Sequence, residues 1–382
     1  MDRAELVTLA ERLLAHHRSG TTDSAPDTMA MPVESYLDPR RWEREIDRIF
    51  RRVPLALALS IELPGPGTYK ALEAAGVPVL IARGGDGVCR AFINTCRHRG
   101  APVCAVGSGA ARRFSCPYHA WVYDDRGALV GMFGAETFGP IDRSVMGLTS
   151  LPAEERAGFV WVSLTPGPPL DLDRWLAGFD CQLEALGLAE WQVYEQRELE
   201  GPGWKVTWDG YLEGYHQQAL HPETVGKDTI ANLMAVDTFG PHQRFVFGRK
   251  NLAGLSEARA ADPGWDPTAF IRLIHSVFPN VSISGVLHDH CLVSQVFPGP
   301  TFDRTRTVQT ILVRDLPETD AAREAARNFS AMVLRAVRDE DYAIGFEIQR
   351  TLGSGGNTHL TFGRNEPTLQ HFHRWVERLL HE

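Results

Sequence analysis

The spacing of hydrophobic positions divides the chain into a helical start, a β-rich first half and a mixed second half. Four leucines at helical spacing predict a first helix, which a polar loop at 19–26 follows. A second helix is predicted over 39–50. The four leucines are Leu6, Leu9, Leu13 and Leu14.

Short apolar segments that alternate with glycine and proline indicate a small, mostly antiparallel β domain. Its predicted strands include Leu55–Leu59, 77–82, Cys89–Ile93 and 159–164. The stretch 165–169 is typical of a linker, and beyond it helices alternate with longer strands such as 244–248 and Thr305–Val313. We therefore expect an α+β chain with an N-terminal helix and loop at 1–40, a small β domain at 41–165 and a larger domain at 166–382.

Composition narrows the class of protein. A chain of 382 residues, 43% of them hydrophobic, can bury one large core or two smaller ones, and it has no apolar run long enough for a membrane span. The first residues lack an export signal, so we expect a cytoplasmic protein. A net charge of −9 argues against nucleic acid as a partner.

Four cysteines without disulfide spacing are expected to be buried as small hydrophobic residues. They are Cys89, Cys104, Cys181 and Cys291.

Two cysteine-histidine pairs form the strongest chemical signal. Cys96 precedes His98 by two residues, and Cys116 precedes His119 by three, each within a run of turn-forming or small residues. In a Rieske [2Fe-2S] cluster two thiolates hold one iron and two imidazoles hold the other, which raises the reduction potential. A Cys2His2 zinc site is the alternative, although such sites usually place both histidines on one helix.

A second candidate metal site involves His216 and His221, which lie five residues apart just before Pro222. A step of five residues does not align side chains on a regular helix. The two histidines could share a metal only if the helix loosens at its end, where Pro222 disfavours helical backbone before it. Without further support, two unrelated histidines would be the simpler interpretation.

A third ligand for that site is predicted on a long helix over 321–352. Asp341 or Glu340 falls on its apolar stripe, where a charged group needs a partner or a metal. A solvated acidic cluster at 339–341 is the alternative. We favour Asp341, with Glu340 in reserve, because two histidines and one carboxylate form a facial iron site. The stripe consists of Phe329, Val333, Val337, Ile344 and Ile348.

Residues 96–100 and 116–121 resemble the Rieske motif of the ring-hydroxylating oxygenase alpha subunits. Residues 203–222 resemble the mononuclear iron motif of the same family, and the likeness extends over roughly 35–382. The chain departs from the family at Ala120, where glycine is common, and at Gly203 and Gly210, where asparagine is frequent. The resemblance implies a small antiparallel β Rieske domain and a helix-grip (Bet v1-like or START-like) catalytic domain with an antiparallel sheet and long helices.

The resemblance also implies roles for individual residues. The cluster ligands fall on Cys96, His98, Cys116 and His119, and the ligands of a mononuclear Fe(II) fall on His216, His221 and Asp341. The family's bridging acid falls on Glu213, which we take as the catalytic residue. In a head-to-tail homotrimer this carboxylate would accept hydrogen bonds from His216 and from His119 of the partner subunit. The alternatives for Glu213 are a helix-surface acid or a direct metal ligand in place of Asp341.

The expected function is that of a Rieske oxygenase. With O2 and electrons from the cluster, it would hydroxylate a small aromatic or hydrophobic substrate once or twice, or demethylate it. No dinucleotide-binding glycine motif follows a strand, so a separate NAD(P)H-dependent reductase, with or without a ferredoxin, would supply electrons. The alternative is a Rieske-type electron-transfer protein without oxygenase activity, which leaves the second half of the chain unexplained. A basic docking site for the redox partner is predicted at Arg97, Arg99, Arg112 and Arg113.

The substrate pocket is harder to predict. Its walls are expected after His221 and at 277–287, without any one residue assigned to substrate binding. His288 and His290 alternate as on a strand, and a surface or hydrogen-bonded pair is favoured over a pocket wall. The candidates after His221 are Val225, Ile230 and Leu233.

Overall fold

The structure is a computed structural model that describes residues 2–262 and 264–382. It divides into two compact units. One is Ile46–Arg174, and the other combines the residues before Ile46 with Trp175–Glu382.

The predicted N-terminal helix is confirmed as α1 (Arg3–Ser19). Asp2 caps its start by accepting a hydrogen bond from the Ala4 N–H, and Gly20 ends it in the left-handed conformation, with a φ of 62°. The four leucines are buried, so the apolar face of α1 packs inward. After the loop come β1 (Met29–Pro32), α2 (Glu34–Leu37) and α3 (Pro39–Glu45), and a π-helical turn (Ile46–Phe50) completes the second predicted helix.

The unit Ile46–Arg174 is built from short antiparallel strands, as predicted. One sheet has five strands in the order β10-β5-β4-β3-β6, and two have three strands, β11-β12-β2 and β7-β8-β9. The strands are β2 (Leu55–Leu59), β3 (Thr68–Ala74), β4 (Val77–Arg83), β5 (Cys89–Ile93), β6 (Gly107–Ala110), β7 (Arg113–Ser115), β8 (Val122–Asp124), β9 (Leu129–Gly131), β10 (Ser150–Leu151), β11 (Ala153–Arg156) and β12 (Phe159–Val162). One short helix, α4 (Ala135–Phe138), follows β9.

The two loop cysteines belong to the core of this unit. Cys96 and Cys116 are each 3% exposed and pack in one cluster with Phe92, Trp121 and Tyr123. Because protein cores are closely packed, this anchoring fixes the backbone of both loops.

A seven-stranded antiparallel sheet dominates the rest of the chain, in the order β13-β19-β18-β17-β16-β15-β14. Its strands are β13 (Gln192–Gly201), β14 (Thr229–Phe239), β15 (His242–Arg249), β16 (Ile271–Val277), β17 (Val281–Ser284), β18 (His290–Pro298) and β19 (Thr305–Val313), and β20 (His359–Phe362) pairs with β1. The helices are α5 (Leu172–Leu176), α6 (Phe179–Glu184), α7 (Trp204–Tyr211), α8 (Gln217–Leu220), α9 (Leu255–Ala261), α10 (Asp320–Leu334), α11 (Ala343–Leu352) and α12 (Pro367–His381). The two predicted longer strands are confirmed in β15 and β19.

Helix α10 packs on one face of this sheet. Val333 of α10 contacts Leu292 of β18 and Ile311 of β19 in one buried cluster. Alternation along each strand places such apolar side chains on the helix-covered face. The more specific helix-grip description stays a prediction.

The prediction of one regular helix over 321–352 is wrong in its middle. A π-helical segment, Arg335–Tyr342, separates α10 from α11. The wider turn shifts the residues after it relative to the apolar stripe. Consequently Ile344 and Ile348 are 45% and 40% exposed, although the stripe predicted them to be buried.

The prediction for the cysteines outside the two loops is confirmed only in part. Cys89 and Cys291 are buried, but Cys104 is half-buried and Cys181 is exposed on α6. Among the described residues, no helix combines the length and the apolar character that a membrane span requires.

Candidate metal centres

The two cysteine-histidine loops share one backbone design. In each, the cysteine N–H donates to the carbonyl five residues later, at 2.8 Å in both loops. The residue four positions after the cysteine donates back to the cysteine carbonyl, at 2.9 Å for Cys96 and 3.0 Å for Cys116. That residue is left-handed in both cases, Gly100 with a φ of 80° and Ala120 with a φ of 50°. The two loops therefore hold their cysteines in the same backbone arrangement, although His98 follows its cysteine by two residues and His119 by three.

His98 and His119 bring their rings together, with centroids 4.7 Å apart. The Nδ1 atoms of both rings are buried and have no hydrogen-bond partner in the part of the chain that the structure describes. Buried polar atoms normally have partners. Two free imidazole nitrogens beside two buried thiols fit the donor set of a Rieske [2Fe-2S] cluster. Trp121 stacks on His98 at a centroid distance of 5.0 Å and limits the rotation of that ring.

Tyr123 is a residue at this centre that the sequence did not reveal. Its hydroxyl lies 3.3 Å from Cys96 Sγ and accepts a hydrogen bond from the Arg97 N–H at 3.0 Å. Burial and the bond to Cys96 raise the pKa of Tyr123, so its hydroxyl stays protonated and can donate to the sulfur. Trp121 and Tyr123 alternate after the second loop, and this period could have marked both as inward-facing.

His216 and His221 flank the one-turn helix α8 as its N-cap and C-cap residues. The predicted loosening of the helix is present, because His221 has a non-helical φ of −115° and ψ of 42°. Their Nε2 atoms approach to 3.1 Å. A spacing of five residues therefore brings the two rings to one point.

Asp341 completes this group. Its Oδ1 lies 2.8 Å from His221 Nε2 and 3.6 Å from His216 Nε2. This oxygen is buried and has no hydrogen-bond donor among the described residues. Among the described residues these three form the single group of three or more metal-binding side chains found within 4.8 Å of one another. Asp341 lies in the π-helical segment, a feature frequent at functional sites.

Two further carboxylates orient the histidines. Glu213 accepts a hydrogen bond from His216 Nδ1, and Glu340 Oε2 accepts one from His221 Nδ1 at 2.6 Å. With the proton on Nδ1, each Nε2 presents a lone pair. Two lone pairs and the carboxylate of Asp341 then converge, which is unfavourable unless a cation lies between them. The spacing suits one ion with ligands at about 2.0–2.2 Å.

Glu340 thus lies beside His221 without contributing to the converging atoms. Its Oε2 also accepts a bond from Thr224 Oγ1 at 2.6 Å, and Arg335 Nε lies 3.0 Å from its Oε1. Burial alone would raise the pKa of Glu340, but the bonds from Thr224 and His221 lower it below its usual value. Burial likewise disfavours a charged His221, yet the Asp341 and Glu340 carboxylates raise its pKa. The site therefore favours positive charge.

A cavity of about 660 Å³, the helix-side cavity, opens beside His216 and Asp341. Ile344 and Ile348 line it, which explains their exposure. Gly210 also lines it, and a Cβ there would meet nothing within 4 Å. Its remaining wall includes Asp209, Glu213, Leu360 and Glu366.

Gly203 differs from Gly210 in the space around it. A Cβ at Gly203 would lie 2.5 Å from the Phe302 carbonyl oxygen and 2.6 Å from Gln349 Oε1. No larger side chain fits there without movement of the backbone at Phe302. This accounts for glycine where the resembled family often has asparagine.

A second cavity of about 300 Å³, the sheet-side cavity, lies between the sheet and α10. Of the residues predicted for the substrate pocket, Val225 and Leu287 line this cavity, whereas Ile230 and Leu233 do not belong to its described wall. His288 lies in the turn before β18 instead of on a strand with His290, and both histidines line the cavity. The full wall is Gln217, Val225, Phe247, Arg249, Ile271, Arg272, Leu273, Ile274, Ser284, Gly285, Leu287, His288, His290, Phe329, Met332 and Val333.

The predicted basic docking residues are exposed. Arg97, Arg99, Arg112 and Arg113 are all accessible to solvent. Arg99 lies over the ring of Tyr118 at 5.3 Å, and Tyr118 is itself 56% exposed. Their role in partner binding stays a prediction.

Two family models match the chain. The family model described as ring hydroxylating alpha subunit (catalytic domain) matches residues 188–382, and that of the Rieske [2Fe-2S] domain matches residues 54–138. The two matched domains bind two cofactors, a [2Fe-2S] cluster and a non-heme Fe(II). Both candidate sites lie inside the matched residues.

The chain also resembles individual proteins. The glycine betaine monooxygenase oxygenase subunit of Pseudomonas aeruginosa is 31% identical over 210 residues, 54% of this chain and 48% of that protein. The anthranilate 1,2-dioxygenase large subunit of Acinetobacter baylyi is 28% identical over 240 residues, 61% and 50% of the two chains. The matches thus span about half the length of these curated relatives.

A similar fold occurs among solved structures. The quaternary ammonium Rieske monooxygenase CntA, in complex with L-carnitine, has a TM-score of 0.78 and 23% identity, over 94% of this chain and 96% of that chain. At this level of identity the likeness bears on the fold.

Proposed function

We propose that this chain, which belongs to the ring hydroxylating alpha subunit family, is an oxygenase acting on a small organic substrate. In this proposal Fe(II) is held by His216, His221 and Asp341, and the cluster by Cys96, His98, Cys116 and His119. Each turnover takes up two electrons and two protons with one O2. In a single hydroxylation one oxygen atom enters the substrate and the other leaves as water, whereas in a dihydroxylation both atoms enter the substrate. Oxidative demethylation is a single hydroxylation of a methyl carbon, which then leaves as formaldehyde.

One observation carries the proposal. The ligand atoms of His216, His221 and Asp341 converge within 4.8 Å in a chain that also bears the paired cysteine-histidine loops. Two imidazoles and one carboxylate are the ligands of many non-heme Fe(II) oxygenases, and an Fe(II) held by these residues would supply the chemistry that activates O2. An electron-transfer protein would have no use for this second group.

The chain's own residues prepare the site. Glu213 and Glu340 hold the two histidine rings through Nδ1, so that both Nε2 atoms face the same point. Asp341 supplies one negative charge without a competing hydrogen bond. Ile344 and Ile348 give the helix-side cavity an apolar side beside the histidine and aspartate ligands.

Electron supply forms a second part of the proposal. A separate NAD(P)H-dependent reductase, with or without a ferredoxin, delivers electrons, and the chain assembles as a homotrimer. A solved quaternary ammonium Rieske monooxygenase is described as giving insight into inter-subunit electron transfer. In this chain Glu213 would join His216 to His119 of the partner subunit. A carboxylate offers about four acceptor positions, so the bond to His216 leaves room for another.

The test uses protein loaded with iron and sulfide and measures metal content, visible spectrum and O2-dependent product formation with a reductase. Asp341→Ala is expected to lose the mononuclear iron and at least about 100-fold of product formation, while the spectrum of the cluster persists. Cys116→Ser is expected to remove that spectrum. The control is Asp339→Asn, at an exposed neighbour that pairs with Arg338.

Retention of full iron content and product formation by Asp341→Ala would refute the assignment of the iron site. A wild-type protein with an intact cluster spectrum, no second iron and electron transfer alone would favour the electron-carrier alternative.

A further inference from the structure

Two arginines line the sheet-side cavity close to each other. Arg249 ends β15, and Arg272 lies on the adjacent strand β16, where it pairs with Phe247. Arg249 donates from Nε to the Ile271 carbonyl at 3.2 Å and from Nη2 to His288 Nε2 at 2.7 Å. Neither bond neutralises its charge.

Arg272 has fewer partners still. Its Nε is buried without a hydrogen bond, and no ion pair joins Arg249 or Arg272 to a carboxylate within residues 2–262 and 264–382. Burial and, to a smaller extent, the charge of Arg249 lower the pKa of Arg272 to about 10, against the opposing effect of Asp228. Arginine remains protonated at neutral pH.

The cavity thus contains two positive charges without a bound counter-charge. Charges removed from water are costly unless they are paired. Guanidinium groups bind carboxylates through two parallel hydrogen bonds and do so more strongly than they bind neutral acceptors. An anion in the cavity would satisfy both arginines.

The rest of the wall defines the body of the ligand. Phe247, Leu273, Phe329 and Met332 are apolar, and neither aspartate nor glutamate belongs to the described wall of the cavity. An organic cation without an acid group would meet only like charge. An apolar or aromatic body that carries an acid group matches both parts of the wall.

Gln217 connects this cavity with the histidines. It follows His216 directly in α8 and lines the sheet-side cavity, and its buried Oε1 has no hydrogen-bond partner within the described residues. Part of the cavity wall therefore belongs to α8, the helix that the two histidines flank.

We propose that the sheet-side cavity binds the substrate and that the substrate is an organic carboxylate, whose acid group pairs with Arg272 and Arg249. This proposal rests on the proposed function and narrows its substrate class. Aromatic carboxylates and carboxylates bearing a quaternary ammonium share the required group. The test therefore includes one of each.

The experiment measures binding to the cofactor-loaded protein by calorimetry. The probes are benzoate, its neutral analogue benzamide, and glycine betaine. At least one of the two carboxylate probes is expected to bind. If the substrate is an aromatic carboxylate, benzoate is expected to bind more tightly than benzamide by about tenfold or more. Arg272→Gln is expected to weaken carboxylate binding by about tenfold or more and to leave benzamide binding unchanged. Arg272→Lys, which keeps the charge but not the paired donors, is expected to fall between.

Arg378→Gln is the matched control, because Arg378 is an exposed arginine of α12 paired with Glu382. Arg249→Gln provides a second test of the same site should Arg272→Gln fold poorly. Carboxylate affinities that are unaffected by both substitutions, or absent from the wild type, would overturn the inference.

Failure of the inference differs from failure of the function. If the carboxylates do not bind but the protein holds iron at His216, His221 and Asp341 and oxidises a neutral compound such as indole, the carboxylate proposal alone fails. If that iron is absent, the proposed oxygenase fails whatever binds in the cavity.

Discussion

Ala120 shows how one residue can carry strain in a metal-binding loop. It adopts a φ of 50°, whereas the equivalent position of the first loop is Gly100, with a φ of 80°. A residue with a Cβ loses about 1–2 kcal/mol in the left-handed region. The hydrogen bond from the Ala120 N–H to the Cys116 carbonyl holds it there. The loop therefore tolerates a local cost that its core-anchored cysteine offsets.

Ala120→Gly is expected to raise the free energy of unfolding by about 0.5–1 kcal/mol, because relief of strain exceeds the added freedom of the unfolded chain. Gly100→Ala should lower it by about 1 kcal/mol or more for the converse reason. Thermal loss of the visible absorption of the cluster would measure both. Equal melting temperatures of Ala120→Gly and the wild type would show that the loop adapts to alanine without strain.

Glu340 is a positioning residue because it acts through His221. It accepts the Nδ1 proton of that ring and is held by Thr224 and Arg335. Such outer carboxylates fix the tautomer and orientation of a metal-binding histidine.

Glu340→Leu is expected to weaken Fe(II) retention by about 10–100-fold, and Glu340→Gln should weaken it less, since an amide oxygen can still accept from Nδ1. Iron content after dialysis against a graded chelator measures the effect without reference to turnover. Asp339→Asn, on the exposed side of the same segment, serves as control. Indistinguishable iron retention in Glu340→Leu and the control would remove Glu340 from this role.

Local sequence pattern was sufficient to predict several helices and strands. Leucine spacing predicted α1, and apolar runs between turns predicted β2 and β5 with their bounds. The cysteine-histidine loops were recognisable for a similar reason, since all the information lies within a few neighbouring residues.

Elements that depend on distant contacts could not be predicted in the same way. The π-helical segment Arg335–Tyr342 has no distinct hydrophobic period, yet it positions Asp341 toward His221 and changes the exposure of Ile344. Arg249 and Arg272 are 23 positions apart by their numbers and meet only because β15 and β16 pair. The register between paired strands decides which side chains lie side by side, and the sequence alone does not specify that register.

Helices α3 and α7 are joined by a buried ion pair. Glu45 is fully buried and pairs with the almost fully buried Lys205, and its Oε2 also accepts from Trp204 Nε1 at 2.8 Å. Burial lowers the pKa of Lys205, against the opposing influence of Glu45. Arg41 contributes a further bond to Glu45 at 3.0 Å. The contact between α3 and α7 thus depends on buried opposite charges, each of which would be unpaired without the other.

Lys205→Met is expected to lower the free energy of unfolding by about 3–5 kcal/mol, because it leaves the Glu45 charge buried beside fewer partners. Adding Glu45→Gln should recover part of that loss, since the remaining side chain is neutral. Denaturant unfolding of the wild type, both single variants and the double variant gives the coupling. Additive effects of the two substitutions would contradict an interaction between these side chains.

The large sheet buries two histidines that stay neutral, His242 and His275. His242 and His275 are each 0% exposed, and burial lowers the pKa of each to about 3. His242 accepts from the Phe278 N–H and donates to the Trp175 carbonyl, whereas both ring nitrogens of His275 lack partners among the described residues. A proton on either ring would introduce a charge into the core.

These histidines make stability depend on pH. In the unfolded chain each would take up a proton near pH 6.5, whereas in the folded protein each stays neutral until about pH 3. Between these values the unfolded state binds more protons, so the free energy of unfolding falls as the pH falls, by up to about 1.4 kcal/mol per pH unit for each histidine. The contribution is complete above about pH 6.5.

His275→Leu is therefore expected to reduce the slope of unfolding free energy against pH between about pH 6 and pH 4 by up to one proton equivalent. Its apolar side chain suits a site whose ring nitrogens have no partners, so stability at pH 7.5 should change little. Denaturant unfolding followed by tryptophan fluorescence at several pH values measures the slope independently of the cluster. His381→Gln, at an exposed histidine of α12, should keep the wild-type slope. Parallel curves for His275→Leu and the wild type would show instead that His275 is protonated to the same extent in the folded and unfolded states.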